Sequence, residues 1–458
     1  MAQFGLSHFS KWIAALDSSK TNRTISMKKF IKFASDENKK QFFYHMNMKN
    51  AIVKSIENGF GFNFPDKAFF KMNYSSLNVT YLVADLKVIS RVELFVDLKF
   101  NKAIVKLIYR FDYSNEESNS LTRLTTHLDQ ADNTFQVVYS MRSKSKSFKL
   151  IRNICVDACK GLKWKKCILC MNSNSSLYFK VYKFSLQGQG SIENATFHEY
   201  LDERLHFELA QQAADYLVGA QNKLDGGWPI SVQRKFDKNS KIHLNQAKWY
   251  SAMAQGHAIS LLCRIYSVVK DEKYFKAAAN GLKLFEMNVK NGGGVRAYLF
   301  NDLNNTWYEE YPTEPHGLFV LNGFIYSLVG LYDFIYGGCS NMDASYKREK
   351  AIELYSSGLK SLIKNINLFD TGQRSLYDLR HLQGDLSVNP NVARWDYHSV
   401  HVSQLFYLIE MIKNSVNRIK SSLLNRNETE IQAKKLLEVA NRWLNYTKGK
   451  WNENSQIN

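Results

Sequence analysis

The chain has 458 residues, 45% of them hydrophobic and 14% aromatic, with 23 glycines and 5 prolines. That length suits two or three domains with apolar side chain enough for a large core, and the composition excludes a collagen, a low-complexity scaffold or a largely disordered chain. Lys and Arg number 61 against 42 Asp and Glu, a net charge of +19, so the folded chain attracts an anionic partner: nucleic acid, an acidic membrane surface or an acidic polysaccharide.

Residues 1–41 form an N-terminal segment with no apolar core of signal-peptide type. Residues 42–199 carry short alternating or continuous apolar runs, YLVADLKV, VELFVDLKF, AIVKLIYRFDY, TFQVVYSM and LYFKVYKF, separated by Asn/Ser clusters. Runs rich in Val, Ile, Tyr and Phe predict antiparallel strands in a sandwich-like or curved sheet. Over residues 200–458 the apolar period becomes helical in Leu205–Gly219, Tyr250–Val269, Tyr274–Val289, Leu318–Tyr336, Ser345–Ile363, His398–Ser415 and Thr429–Tyr446. The expected fold class is therefore α+β: an antiparallel β-sandwich-like domain followed by an α/α toroid, an incomplete α/α barrel built of helical hairpins, with a plain helix bundle as the simpler arrangement. The most apolar stretch, Leu318–Ile335, is interrupted by Asn322, Ser327 and Asp333 and predicts a buried core helix rather than a membrane span.

Six cysteines, Cys155, Cys159, Cys167, Cys170, Cys263 and Cys339, leave zinc, disulfides and buried thiols open, with thiols the plainest reading. Asn-x-Ser/Thr sequons at Asn22, Asn73, Asn78, Asn174, Asn194, Asn304, Asn427 and Asn445 lend mild support to a secretory route. Nucleotide chemistry has no motif here: there is no Walker loop, and Gly188-Gln189-Gly190 lacks the third glycine and the following helix. Gly292–Gly294 follows a helix and reads as its cap and turn. Nucleophile elbow and HExxH are both absent from the sequence, and the lysines are scattered rather than gathered for nucleic acid.

Chemistry concentrates in four loop sequences of the helical half: GGWPISVQRK (226–235), YEEYPTEP (308–315), TGQRSLYDLRH (371–381) and NPNVARWDYH (389–398). They combine Trp, Tyr, Arg, Asn and carboxylates on the connections that shape a cleft. Flat aromatics stack on sugar rings, and Arg holds sulfate or carboxylate in a bidentate fork. His398 and His401 have metal spacing, but hydrogen-bonded cleft histidines are the simpler expectation.

The strings GGWPISVQRKF, WYSAMAQGHAIS, WYEEYP, FVLNGFIYSLVGLYD, DTGQRSLYDLRH and NVARWDYHSVH resemble the D-glucuronyl C5-epimerases of heparan sulfate and heparin biosynthesis. The resemblance is strong over Asn194–Trp443, continues in QGQGSIENAT (187–196), and reappears in MAQFGLSHFSK (1–11), which is similar to an internal segment of the family. It implies that the family's earlier part, with its membrane anchor and helical hairpin, is absent from this chain. It further implies inversion at C5 of glucuronic acid to iduronic acid within N-sulfated heparosan, no organic cofactor, a Golgi location, a homodimer and association with other heparan sulfate biosynthetic enzymes, with no nucleic acid partner.

Inversion next to a carboxylate requires a proton to leave one face of C5 and another to arrive on the opposite face. Two acid/base groups must flank the carbon, and donors or cations must stabilise the enediolate-like intermediate. Carried over position by position, the resemblance implies Glu310, Tyr311, Tyr377 and Tyr397 as catalytic groups, with Glu310 and Tyr397 as the opposed pair. Arg380, one turn from Tyr377 if that segment is helical, is the expected stabiliser of a tyrosinate. Gln3, Arg234, Lys235, Asn322, Tyr326, Asn391, Arg394, Trp395, Asp396 and His398 are expected to join Arg380 in contacting substrate. Of the family's calcium ligands only Glu193 is traceable. A polysaccharide lyase begins with the same proton abstraction and is the rival chemistry. A non-catalytic glycosaminoglycan-binding protein is the rival of another class, and a glycoside hydrolase pairing Glu310 with Asp396 ranks below both.

Overall fold

A computed structural model of the chain describes residues 1–16, 24–26, 52–56, 59–64, 70–77, 80–100, 103–113, 123–129, 134–143, 145–161, 180–198, 201, 203–236, 242–244, 248–339, 345–382, 388–418 and 426–449. The chain divides into two compact units, residues 15–205 and residues 1–14 together with 206–458.

In the first unit, strict alternation builds the sheet. Strand β5 (Tyr81–Phe100) turns Leu82, Ala84, Leu86 and Val88, then Val92, Leu94, Val96 and Leu98, to the core, all essentially inaccessible. Strand β6 (Ala103–Tyr113) does the same with Val105, Leu107, Tyr109 and Phe111. The long strand β10 (Lys180–His198) pairs with β5 along one edge and with β3 (Gly59–Phe64) and β4 (Phe70–Leu77) along the other. The ladder from β2 (Ile52–Ile56) through β3, β10, β5 and β6 is antiparallel, but β8 (Thr134–Ser143) returns beside β6 in parallel, between β6 and β7 (Arg123–Asp129). Gly188-Gln189-Gly190 lies at a register shift of β10, where Gly188 has φ 105° and an added Cβ would lie 2.0 Å from the Arg91 carbonyl oxygen. Only glycine fits there, and the sheet rather than a phosphate is the reason. The helix α2 (Ile154–Gly161) sets Cys155 and Cys159 one turn apart, both buried; Cys167 and Cys170 lie outside the described residues.

All seven predicted helices of the second unit form: α3 (Glu203–Ala220), α4 (Ala252–Val269), α5 (Glu272–Gly281), α6 (Leu321–Tyr336), α7 (Ser345–Asn365), α8 (Trp395–Arg418) and α9 (Arg426–Thr447). Asp271 caps α5 by accepting from the Lys273 N–H at 3.0 Å. Helices α4 and α6 cross closely because Gly256 and Gly330 face each other; a Cβ on Gly330 would lie 2.3 Å from the Gly256 oxygen. The same pair is joined by Arg264, which donates to Asp333 at 2.8 Å, and by a Cys263–Cys339 disulfide. Cys263 and Cys339 are thus cross-linked rather than the plain thiols that composition favoured. Helix α6 is buried on nearly every side, and no described helix is long and apolar enough to cross a membrane.

Two helices were not foreseen, α2 in the sheet unit and one at the start of the chain. Ala2–Leu16 forms α1, whose Phe9 is buried and whose Gly5 packs on Leu261 of α4 and Ala213 of α3. His8 meets His206 at 2.8 Å through their Nδ1 atoms. The first 14 residues therefore belong to the helical unit rather than standing as a segment of their own.

Candidate active site

The short strand Thr306–Tyr308 delivers two carboxylates to the helical unit. Trp307 is clamped between Phe324, stacked at 3.8 Å, and Phe369 at 5.7 Å, while the Tyr308 hydroxyl donates to the Leu354 carbonyl at 2.6 Å. The chain that follows has little freedom, and alternation turns Glu309 and Glu310 to different neighbours. Glu309 is fully buried, accepts from the Phe319 N–H at 3.2 Å, and lies against Gly317. Burial holds its carboxyl well above the ordinary carboxylate range. Glu309 is also part of the lining of a cavity of about 460 Å³, with Lys290, Tyr298, His316 and Phe319, that none of the four expected catalytic residues lines.

Glu310 rests on Gly323 of α6 and is 3% exposed. Its Oε2 is buried without a hydrogen-bond partner, and burial raises its pKa, opposed by the Tyr311 hydroxyl and the Arg234 charge. A buried carboxyl with an open oxygen and a raised pKa is a stronger base than a solvated one. Tyr311 is the hub. Arg234 donates to its hydroxyl at 2.5 Å and lies over its ring at 4.4 Å, while Trp249 and Phe236 pack on the ring. The same hydroxyl reaches both Glu310 and Tyr377. Burial, followed by the Glu310 charge, raises the pKa of Tyr311 and of Tyr377, and Arg234 works against both shifts. Tyr377 in turn meets Tyr397 edge to face, with ring centroids 5.0 Å apart. Glu310, Tyr311, Tyr377 and Tyr397 therefore form one contiguous series.

A β-like pairing brings the last two together. Tyr377 N–H donates to the Asn391 carbonyl at 2.8 Å, Ala393 N–H to Ser375 at 3.0 Å, and Leu376 bridges Val392. Tyr377 is not on a helix, and Leu321 at the start of α6 donates to its carbonyl at 3.1 Å. Arg380 forks onto Asp378 at 2.9 and 2.6 Å, and Asn391 donates to the same carboxylate at 2.6 Å. The guanidinium on the Tyr311 hydroxyl is thus that of Arg234. Asp378, fully buried, escaped sequence reading; the signal was its place two residues before Arg380 in YDLRH.

The remaining expected contacts are spread more widely. Asn322, with a buried Oδ1 lacking a partner, and Tyr326, packed on His257 at 4.5 Å, lie one turn apart on α6. Arg394 pairs with Asp396 at 2.8 Å, both largely exposed, and reaches over the Tyr397 ring at 5.6 Å. Trp395 is 45% exposed with Arg374 over its ring at 4.9 Å. Lys235 is exposed, as is Gln3 on α1. His398 is fully buried with both ring nitrogens engaged, by Ser375 and by the Trp443 carbonyl. Glu193 belongs to the sheet unit, opposite Asp85 in the β5–β10 register; Asp85 already accepts from Asn194 at 2.8 Å and pairs with Lys149 at 4.0 Å. No group of three or more His, Cys, Asp or Glu among the described residues could hold a metal.

A buried carboxyl, three tyrosines and an adjacent guanidinium constitute a general acid–base site in a helical domain. Residues 221–426 match the family described as D-glucuronyl C5-epimerase C-terminus. The chain is 44% identical over 251 residues to the D-glucuronyl C5-epimerase of Caenorhabditis elegans, a match covering 54% of this chain and 36% of that protein. An uncharacterized protein of Methanocaldococcus jannaschii is 31% identical over 130 residues, 28% of this chain and 39% of that one. The chain thus spans little more than a third of the length of either relative. Among solved structures, a family 12 xyloglucanase from Bacillus licheniformis aligns over 33% of this chain and 83% of its own at 9% identity, with a TM-score of 0.19, too low to bear on fold or chemistry.

Proposed function

We propose that the chain inverts C5 of glucuronic acid units within a heparan-type polysaccharide, giving iduronic acid. The observation that carries this reading is the series Glu310–Tyr311–Tyr377–Tyr397 with Arg234 on the Tyr311 hydroxyl. Glu310, raised by burial, takes the C5 proton; the Tyr397 hydroxyl returns one to the opposite face. Tyr311 and Tyr377, kept protonated at neutral pH by burial, are donors for the substrate carboxylate as it becomes enediolate-like. Arg234 supplies positive charge to the same region. Epimerisation without net redox change needs no organic cofactor, and the net charge of +19 suits a sulfated, carboxylated polymer such as N-sulfated heparosan.

Action in the Golgi lumen agrees with the Cys263–Cys339 bridge, which belongs to an oxidising compartment, and with the exposed sequon residues Asn194, Asn304 and Asn445. Closing a loop of 76 residues, that bridge also stabilises the helical unit by about 4.5 kcal/mol in the chain-entropy treatment. The helical unit is read as an α/α toroid because α4 packs on α5, α6 on α7 and α8 on α9 as successive pairs, while α4, α6 and α8 pack on one another in series. A homodimer associated with other enzymes of the same polymer's synthesis completes the reading. The test is incubation with N-sulfated heparosan in D₂O: deuterium at C5 together with new iduronic acid supports it, whereas an unsaturated, ultraviolet-absorbing product identifies a lyase.

A further inference from the structure

Next to the two facing tyrosines lies a second polar cluster that the reaction as described does not use. Ser375, His398 and His401 are all completely buried. The Ser375 backbone N–H, which can only donate, points at His398 Nδ1 at 3.0 Å, and His398 Nε2 lies 3.0 Å from the Trp443 carbonyl, which can only accept. Those two contacts fix His398 as the neutral Nε2–H tautomer. The Ser375 hydroxyl sits 2.9 Å from the same Nδ1 and 2.7 Å from His401 Nδ1, so one serine ties two successive turns of α8. Burial keeps both rings neutral, with His401 lowered to about 3.

The chain position of these groups gives the cluster its consequence. Ser375 is two residues before Tyr377, on the segment that pairs with Asn391–Ala393. His398 directly follows Tyr397 in the first turn of α8, and its N–H closes that turn on the Arg394 carbonyl at 2.8 Å. Rotation of this turn swings Tyr397, and a slip of Ser375 moves Tyr377. We infer that Ser375, His398 and His401 form a clasp that sets the separation and angle of Tyr377 and Tyr397, and that His398 serves the site as a positioning residue rather than by touching substrate. The inference rests on the proton-transfer reading given above.

The test uses the whole chain in two measurements. In the unaltered protein at pH 6, ¹⁵N NMR of the histidines should show His398 neutral with its proton on Nε2; a charged ring or the Nδ1–H form overturns the clasp. Ser375→Ala should lower kcat for C5 exchange about 10- to 100-fold while KM stays within about twofold, and should shift the ring signals of Tyr377 and Tyr397. Ser375→Thr, which keeps the hydroxyl, should recover part of the rate. Unaltered kcat and tyrosine signals in Ser375→Ala, or a loss confined to KM, refute the clasp. Absence of C5 exchange in the unaltered protein refutes the functional reading instead, and the histidine and tyrosine signals still decide whether the clasp exists.

Discussion

Gly323 is the floor on which Glu310 lies: a Cβ built on Gly323 would come within 2.3 Å of Glu310 Oε2 and 2.6 Å of its Cβ. A helix interior favours Ala over Gly by about 1 kcal/mol, so α6 has a reason to contain glycine here only if something must approach. Gly323→Ala should therefore retain helical structure while displacing the carboxyl. Displacement of about 1 Å is expected to cost on the order of 100-fold in C5 exchange. Circular dichroism beside the exchange rate checks this; native helicity with an unaltered rate shows that the carboxyl has room to spare.

Arg234 opposes the upward shifts of Glu310, Tyr311 and Tyr377 together. Removing its charge in Arg234→Gln lets all three rise further, so both limbs of the pH–rate profile should move to higher pH and kcat at neutral pH should fall. Profiles of kcat against pH for the two proteins decide the matter. Superimposable limbs would mean that the guanidinium on Tyr311 does not tune the reacting groups.

Asp378 joins Arg380 and Asn391, and its side chain is wholly inaccessible. Removing one partner of such a buried pair typically costs about 3 kcal/mol. Asp378→Asn should lower the melting temperature and, by freeing Arg380, raise KM for the polymer. A variant with native KM would place Arg380 outside substrate recognition.

The sequence makes the helices and the four chemical loops legible for definite reasons. Apolar residues three and four apart locate all seven helices from α3 to α9, because each presents one face or more to the core. Loops that gather Trp, Tyr and Arg mark where the chemistry concentrates, but it is the resemblance to the epimerases that singles out Glu310, Tyr311, Tyr377 and Tyr397. What periodicity does not reveal is which cation serves which phenol. Arg380 is three residues from Tyr377 but turns onto Asp378, whereas Arg234 reaches Tyr311 across 77 positions. Helix α1 is hidden for a similar reason: Gly5 lowers its apparent propensity, yet that glycine is what lets it approach Leu261 and Ala213. His398 looks like a cleft residue beside Tyr397, but successive helical positions differ by about 100°, and the ring turns into the core.

Acid should weaken the fold through His257, 6% exposed, whose pKa is lowered to about 4 by burial. Above about pH 6.5 both folded and unfolded forms are neutral at this site, so it confers no pH dependence. Between 6.5 and about 4 the unfolded chain binds a proton the fold refuses, and stability falls by up to about 1.4 kcal/mol per pH unit. His257→Phe should remove this contribution, so the difference in unfolding free energy between the two proteins narrows or reverses from pH 7 to pH 5. Parallel urea denaturation curves at both pH values would refute a neutral, buried His257.

The central claim is that two groups, Glu310 and Tyr397, work on opposite faces of one carbon. Its most direct measurement follows loss of isotope from C5 separately for glucuronic and iduronic units of an N-sulfated polymer. The unaltered protein should exchange both. General acid–base groups contribute about 10²- to 10⁴-fold, so Glu310→Gln should lose exchange from glucuronic units first and Tyr397→Phe from iduronic units first, each remaining folded. Folded variants that both exchange at the unaltered rate, or an unaltered protein that releases an unsaturated product in place of iduronic acid, would contradict the account.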